Sequence, residues 1–68
     1  MRVELNGNAA ELERGATIVD AIDAAGADPE RRGVAVAVDG EVVPRSEWET
    51  TALAEGQRVE VLHAAQGG

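Results

Sequence analysis

The sequence contains no cysteine and no lysine, and among its 68 residues Trp48 is the only aromatic residue and His63 the only histidine. Without cysteine no disulfide can form, which fits a reducing compartment. One histidine without cysteine cannot supply the four nitrogen and sulfur ligands of a structural zinc site. A chain this short is one domain, below the ~70–80 residues at which a single core comfortably supports a fold. We therefore expect a small domain without disulfide or zinc cross-links.

Positive charge is also scarce: six arginines stand against 13 acidic residues, which gives a net charge of −7. Nucleic acids and anionic membranes select basic surfaces, so neither is an expected partner. The first residues contain no long apolar run, and we therefore expect no signal peptide or membrane span. Hydrophobic residues make up 44% of the chain, which is too many for a disordered acidic tail. These counts predict a soluble cytoplasmic domain.

The first third of the sequence predicts a hairpin followed by a helix. Val3 and Leu5 alternate with charged residues, as in a half-buried strand, and the Asn6-Gly7 pair suits a type I′ turn. Residues 8–12 then form the returning strand. Thr17 is placed to cap a helix of nine or so residues with a single apolar side. The apolar residues on that side are Ile18, Val19, Ile22 and Ala25.

The rest of the sequence predicts three more strands. Residues 34–38 alternate valine with alanine, which is typical of a central strand with one face of small residues. Asp39-Gly40 is a second tight-turn pair, and Val42-Val43 forms a short strand after it. The last strand alternates Val59 and Val61 with polar residues and ends near His63.

A long loop connects the last two strands. Ser46 and Glu49 have the spacing of a capping box, which predicts one helical turn around Trp48. We expect the indole of Trp48 to fill the small core and Arg45 to pair with a nearby acidic side chain. Leu53 is expected to be buried.

This order of elements predicts an α+β fold in two layers, a ubiquitin-like β-grasp with a four- to five-stranded mixed sheet packed on one helix. The domain spans residues 1–63, and residues 64–68 form a flexible tail. The helix side with Ile18, Val19 and Ile22 is expected to pack on the strand residues of one sheet face. These are Val3, Leu5, Val36, Val38, Val59 and Val61.

Side chains for catalysis are few. Ser46 and His63 are the only candidates for a nucleophile and its base, and each has a simpler interpretation, Ser46 as a helix cap and His63 as a polar strand residue. The pairs Glu47/Glu49 and Asp20/Asp23 are expected to lie among solvated positions. We predict no catalytic residues, no metal site and no enzymatic activity of its own.

The C-terminal residues offer a different chemistry. Gly67 and Gly68 have no Cβ, so this backbone can enter a channel too narrow for side chains. An unbranched arm that ends in a carboxylate is a suitable substrate for another enzyme's cleft. The alternative is a frayed terminus that happens to end in glycine.

The sequence resembles the thiamine-biosynthesis sulfur carrier proteins, small ubiquitin-like β-grasp proteins that end in Gly-Gly. The most specific stretch is residues 38–48, in which an Asp-Gly turn is followed by Val-Pro-Arg and a tryptophan. Leu53 and residues 55–61 are similar to the family's entry into the last strand. Two positions depart from the family pattern: Gln57 stands where aspartate is common, and Gln66 where a small residue often precedes the diglycine.

The resemblance implies that Gly68 is the covalent site and that Gly67 and Gln66 enter the partner's channel. An adenylating enzyme similar to ubiquitin-activating enzymes uses ATP and Mg²⁺ to form the Gly68 acyl-adenylate, so the chain itself binds no cofactor. A persulfide donor then supplies sulfur, and the Gly68 thiocarboxylate delivers it to thiazole synthase for the thiazole ring of thiamine.

For partner docking we hypothesise the outer sheet face around Ala35, Ala37 and Leu62. Leu62 is a large apolar residue on the face opposite Val59 and Val61 and is close to the tail in sequence. A single exposed leucine without a role is the alternative.

Three other functions remain open. The chain could be a sister sulfur carrier, such as a molybdopterin synthase small subunit or a carrier for cysteine synthesis, but the Val-Pro-Arg and tryptophan stretch favours the thiamine branch. A ubiquitin-like modifier would join Gly68 to a lysine of a target protein. A β-grasp interaction module with an inert tail is the third alternative.

Overall fold

The computed structural model describes residues 1–27, 30 and 32–63. The tail, residues 64–68, with the predicted positions Gln66, Gly67 and Gly68, lies outside the described residues. In chain order the elements are β1 (Arg2–Leu5), β2 (Asn8–Glu11), helix α1 (Ile18–Ala24), β3 (Val34–Val38), β4 (Glu41–Val42), a 3₁₀ turn (Arg45–Glu47) and β5 (Arg58–His63).

The strands form one five-stranded sheet in the order β2-β1-β5-β3-β4. β1 and β5 are parallel, and the other neighbouring strands are antiparallel. The predicted α+β architecture, a mixed sheet with one helix, is confirmed. β3 has a strand on each side, but the middle of the sheet belongs to β5, which reaches it through the long crossing connection that a parallel neighbour requires.

Both predicted tight turns are present. Asn6 and Gly7 have φ angles of 50° and 84°, and Asp39 and Gly40 have φ angles of 50° and 85°. Two successive positive φ angles characterise the type I′ turn, whose twist matches that of the flanking strands. Each turn therefore fixes the register of its hairpin.

Helix α1 begins where the sequence predicts and is shorter than predicted. The Thr17 backbone N–H donates to Asp20 Oδ2 at 2.8 Å, and the helix ends after seven residues, at Ala24. Gly26, with a φ of 75°, turns the chain away. In residues 1–27, 30 and 32–63 no helix is long and apolar enough to cross a membrane.

The core lies between α1 and the inner face of the sheet. Ala21, which the sequence pattern did not single out, is fully buried, whereas Val19 is only half-buried. The buried cluster consists of Leu5, Ile18, Ala21, Ile22, Val36, Trp48, Leu53, Val59 and Val61.

The crossing loop supplies two members of this cluster, as predicted. Trp48 is buried, and its indole Nε1 donates to the carbonyl oxygen of Val43 at 2.9 Å. Leu53 is also buried, and its backbone N–H donates to the carbonyl oxygen of Ala16 at 2.8 Å. These bonds satisfy polar groups that a buried loop would otherwise leave without partners.

One expectation for this loop is wrong, and one stays a prediction. Ser46 does not cap a helix: it lies inside the 3₁₀ turn, whose N-cap is Pro44. Arg45 donates to the main-chain carbonyl oxygen of Glu30 at 3.1 Å, and its guanidinium lies over the Trp48 ring, 5.7 Å from the ring centroid. Its pairing with an acidic side chain stays a prediction. Pro44 is extended, with a φ of −63° and a ψ of 147°, and the proline ring fixes φ near this value.

Candidate functional site

Strand β5 links the core to the tail. Its Val59 and Val61 are buried against the helix, and its last residue is His63. Gly68 follows His63 by five residues, and five extended residues span at most about 17 Å. A reaction at Gly68 would therefore take place within about 17 Å of the end of β5.

The outer face of the sheet near this end is apolar. Successive strand residues point to opposite faces, so Leu62 projects away from the helix, and its side chain is 61% exposed. Ala35 lies directly opposite Leu62, and Ala37 lies two residues further along β3. The structure thus brings together the three residues predicted for docking, although Ala37 is partly buried.

Val42 extends this surface and was not predicted to belong to it. It lies directly opposite Ala37 in the β3–β4 hairpin and is the most exposed large apolar residue described, at 76%. The sequence carried the signal, because a two-residue Asp39-Gly40 turn sets Val38 opposite Glu41 and therefore Ala37 opposite Val42. We call Ala35, Ala37, Val42 and Leu62 the apolar patch.

The other half of the outer face carries charge. Arg58 Nε lies 3.4 Å from Glu4 Oε2, and Arg2 Nε lies 3.9 Å from Glu11 Oε2. All four side chains are about half exposed or more, so these pairs add little to stability. Glu60 lies directly opposite Ala37 and separates this charged half from the apolar patch.

Two turn residues clamp β5 at different points along its length. At its start, the Asp39 backbone N–H donates to the Arg58 carbonyl oxygen at 2.8 Å, and the Arg58 N–H donates to Asp39 Oδ1 at 2.9 Å. Nearer the tail, Asn6 bonds Val59 and Val61. The Asn-Gly and Asp-Gly pairs predicted only turns, because neither pair indicates which distant strand its side chain meets.

The candidates for catalysis do not come together. Ser46 lines a shallow surface pocket with Val19, Trp48 and Glu49. His63 lies opposite Val34 at the end of β5, and in the described part of the chain no hydrogen bond joins it to Ser46. The described residues also contain no cluster of three or more His, Cys, Asp and Glu side chains that could hold a metal ion.

Comparison with known proteins places this geometry in a family. The model of the ThiS family matches residues 3–68. A crystal structure of the thiamine biosynthesis protein ThiS from Geobacter metallireducens is 27% identical, with a TM-score of 0.74 and full coverage of both chains. An NMR solution structure of a thiamine biosynthesis protein from the same organism is 24% identical, with a TM-score of 0.76, and the match covers 100% of this chain and 88% of that one. No curated protein matches.

The family model accounts for almost the whole sequence, including both turns, the crossing loop with Trp48, and Gly67-Gly68. The solved structures agree with the five-stranded mixed sheet and its single helix. The chain belongs to the ThiS family, the thiamine-biosynthesis sulfur carriers of ubiquitin-like β-grasp fold that its sequence resembles.

Proposed function

We propose that the chain carries sulfur as a thiocarboxylate on Gly68 and donates it for the thiazole ring of thiamine. The observation that carries the proposal is the ThiS-family match, which runs through residue 68 and so includes the diglycine. The similar crystal structure is that of a protein described as acting in thiamine biosynthesis, which supports this pathway over those of the sister carriers.

The chemistry begins with activation of a poor acyl group. The Gly68 carboxylate attacks the α-phosphorus of ATP on an adenylating enzyme, and pyrophosphate leaves. A persulfide sulfur then attacks the carbonyl carbon of the acyl-adenylate, and AMP leaves. A thiol cleaves the resulting acyl disulfide, which releases the thiocarboxylate and leaves the donor oxidised as a disulfide. ATP and Mg²⁺ act on the partner enzyme, and the chain is its substrate rather than a catalyst.

The proposed partners are the adenylating enzyme, a persulfide sulfur donor and thiazole synthase, which receives the sulfur. We place these reactions in the cytoplasm. The net charge of −7 favours encounter with enzymes that present a basic surface around the channel for the tail.

Sulfur loading is tested by the mass of the intact protein. The chain is incubated with ATP, Mg²⁺, the adenylating enzyme and a persulfide donor, and we expect a mass gain equal to the exchange of one oxygen for one sulfur. Pyrophosphate release without this gain, even with excess donor, contradicts a sulfur carrier. Attachment to a protein lysine instead supports the modifier alternative. A deletion strain whose growth recovers with thiamine then assigns the pathway.

The apolar patch is the proposed docking surface for the adenylating enzyme. It lies on the exposed sheet face, and one of its members, Leu62, is the penultimate residue of the strand that leads to Gly68. A partner that covers the patch can therefore receive the tail in the same encounter. Burial of exposed apolar side chains next to a reacting terminus supplies binding free energy where it orients the substrate.

Leu62→Arg should weaken docking without unfolding the domain. We expect the KM for the carrier in adenylation to rise by about tenfold, because a well-packed apolar contact contributes about 1.4 kcal/mol or more. Ala9→Arg is the matched control, because Ala9 is exposed on the same face and lies opposite Glu4, at the far side of the sheet. If both variants are loaded like the unchanged protein, the patch does not dock the enzyme.

A further inference from the structure

Strand β5 extends beyond the end of its parallel neighbour β1. The β1–β5 register pairs Glu4 with Arg58 and Leu5 with Val59, and β1 ends there. β5 continues to His63, which is still paired with Val34 of β3 on its other side. On the β1 side of Val61, the described part of the chain has no further strand residue. The backbone N–H and carbonyl groups of Val61 on this side therefore need a partner outside the strands.

Asn6 is that partner. Its backbone N–H donates to the carbonyl oxygen of Val59 at 2.9 Å, which continues the β1–β5 ladder. Its side-chain amide then replaces the next peptide group: Oδ1 accepts from the Val61 N–H at 2.8 Å, and Nδ2 donates to the Val61 carbonyl oxygen at 3.2 Å. Both groups of Val61 that face β1 are thus satisfied by one side chain 55 residues away in sequence.

The turn makes this geometry possible. Asn6 occupies the first central position of the type I′ turn with a φ of 50°, a conformation that asparagine tolerates better than most residues. Glycine would accept the backbone angle but has no amide to offer. Asn6 therefore meets two requirements at once, the turn and the bond to β5.

We propose that Asn6 is a positioning residue for the reaction at Gly68. By bonding both polar groups of Val61, it holds the end of β5 on the side that β1 leaves open, while β3 holds the other side, and so sets the direction of Leu62 and His63. Gly68 follows Val61 by seven positions in the chain, an extended length of up to about 25 Å. The tail starts from this strand end, so a loss of order at Val61 moves the point from which the carboxylate reaches the partner enzyme. This inference rests on the proposed sulfur-carrier function.

Asp39 provides a matched comparison within the same strand. Like Asn6 it has a φ of 50°, precedes glycine in a two-residue turn, and bonds β5 through both its backbone and its side chain. Its partner, Arg58, is the first residue of β5 and lies at the end away from the tail. A role in stability is therefore shared by the two residues, whereas a role in positioning the tail belongs to Asn6.

The test compares Asn6→Gly with Asp39→Gly, since glycine retains the positive φ and removes only the side chain. For Asn6→Gly we expect the KM for the carrier in adenylation to rise about tenfold, as it does when about a tenth of the molecules are binding-competent, with kcat within about twofold. Asp39→Gly should lower the stability to urea about as much as Asn6→Gly does, but it should leave KM unchanged. An equal rise of KM in both variants, or no rise in Asn6→Gly, overturns the proposal.

A second measurement needs no partner enzyme. NMR relaxation order parameters of the Leu62 and His63 amides should fall in Asn6→Gly and stay at their original values in Asp39→Gly. Unchanged order parameters in Asn6→Gly also overturn the proposal. If the unchanged protein is not adenylated at all, the proposed function fails, while these order parameters still decide whether Asn6 fixes the end of β5.

Discussion

Removal of Gly67 and Gly68 is expected to abolish sulfur loading and leave the fold intact. The truncated chain ends in the carboxylate of Gln66, which lies two residues short of the activating site. The Gln66 side chain also cannot advance into the part of the channel that is shaped for two glycines. None of the described core residues lies beyond Val61, so the urea midpoint should not change. Intact mass after incubation with ATP, enzyme and persulfide donor measures the loss.

Gln66→Ala is the matched control for this truncation. It alters the neighbouring tail residue, keeps the diglycine, and introduces the small side chain that resembles the family pattern more closely. We expect loading at least as efficient as that of the unchanged chain. Full loading of the truncated chain would refute both the carrier and the modifier functions, since each requires the Gly68 carboxylate.

Truncation of the core residue Ile22 is expected to produce a large loss of stability. Ile22 is fully buried between α1 and the sheet, and an isoleucine-to-alanine substitution at such a site costs about 2–5 kcal/mol in the free energy of unfolding. Native domains have a free energy of unfolding of about 0.05–0.15 kcal/mol per residue, which gives only ~3–10 kcal/mol for 68 residues. Ile22→Ala should therefore lose a large fraction of the stability of the domain, and its urea midpoint should fall accordingly.

Urea unfolding followed by Trp48 fluorescence measures this effect, because the only indole is 3% exposed in the folded state and becomes solvated on unfolding. Leu62→Ala is the control, a truncation of similar size at a side chain that is 61% exposed. We expect it to change the free energy of unfolding by less than about 0.5 kcal/mol. Equal losses in the two variants would contradict a core confined to the inner face of the sheet.

The local elements of the fold could be predicted from the sequence because local forces determine them. Alternating valines predicted β3 and β5, and the Asn6-Gly7 and Asp39-Gly40 pairs predicted turns that the positive φ angles confirm. The apolar period predicted α1, with errors confined to its length and to Ala21. The error at Ser46 was also local: a capping-box spacing was read as a cap, but Pro44 already starts the turn.

Some of the functional proposals rest on residues that could be identified from the sequence, and others rest on contacts seen only in the structure. The sequence alone indicated the class of protein, through the diglycine and the Val-Pro-Arg and tryptophan stretch that carry the resemblance, and the family match established it. The sequence also placed Leu62 on the outer face, because strand alternation depends only on neighbouring residues.

Only the tertiary structure decided which distant residues meet. It put β5, the last strand in sequence, in the middle of the sheet. It placed Leu62 of β5 opposite Ala35 of β3 and so joined Leu62 to the hairpin pair of Ala37 and Val42 in one apolar patch. It also brought the amide of Asn6 to Val61, across 55 residues. No local pattern encodes such pairs, because each results from the way the whole chain buries its apolar side chains and satisfies its backbone hydrogen bonds.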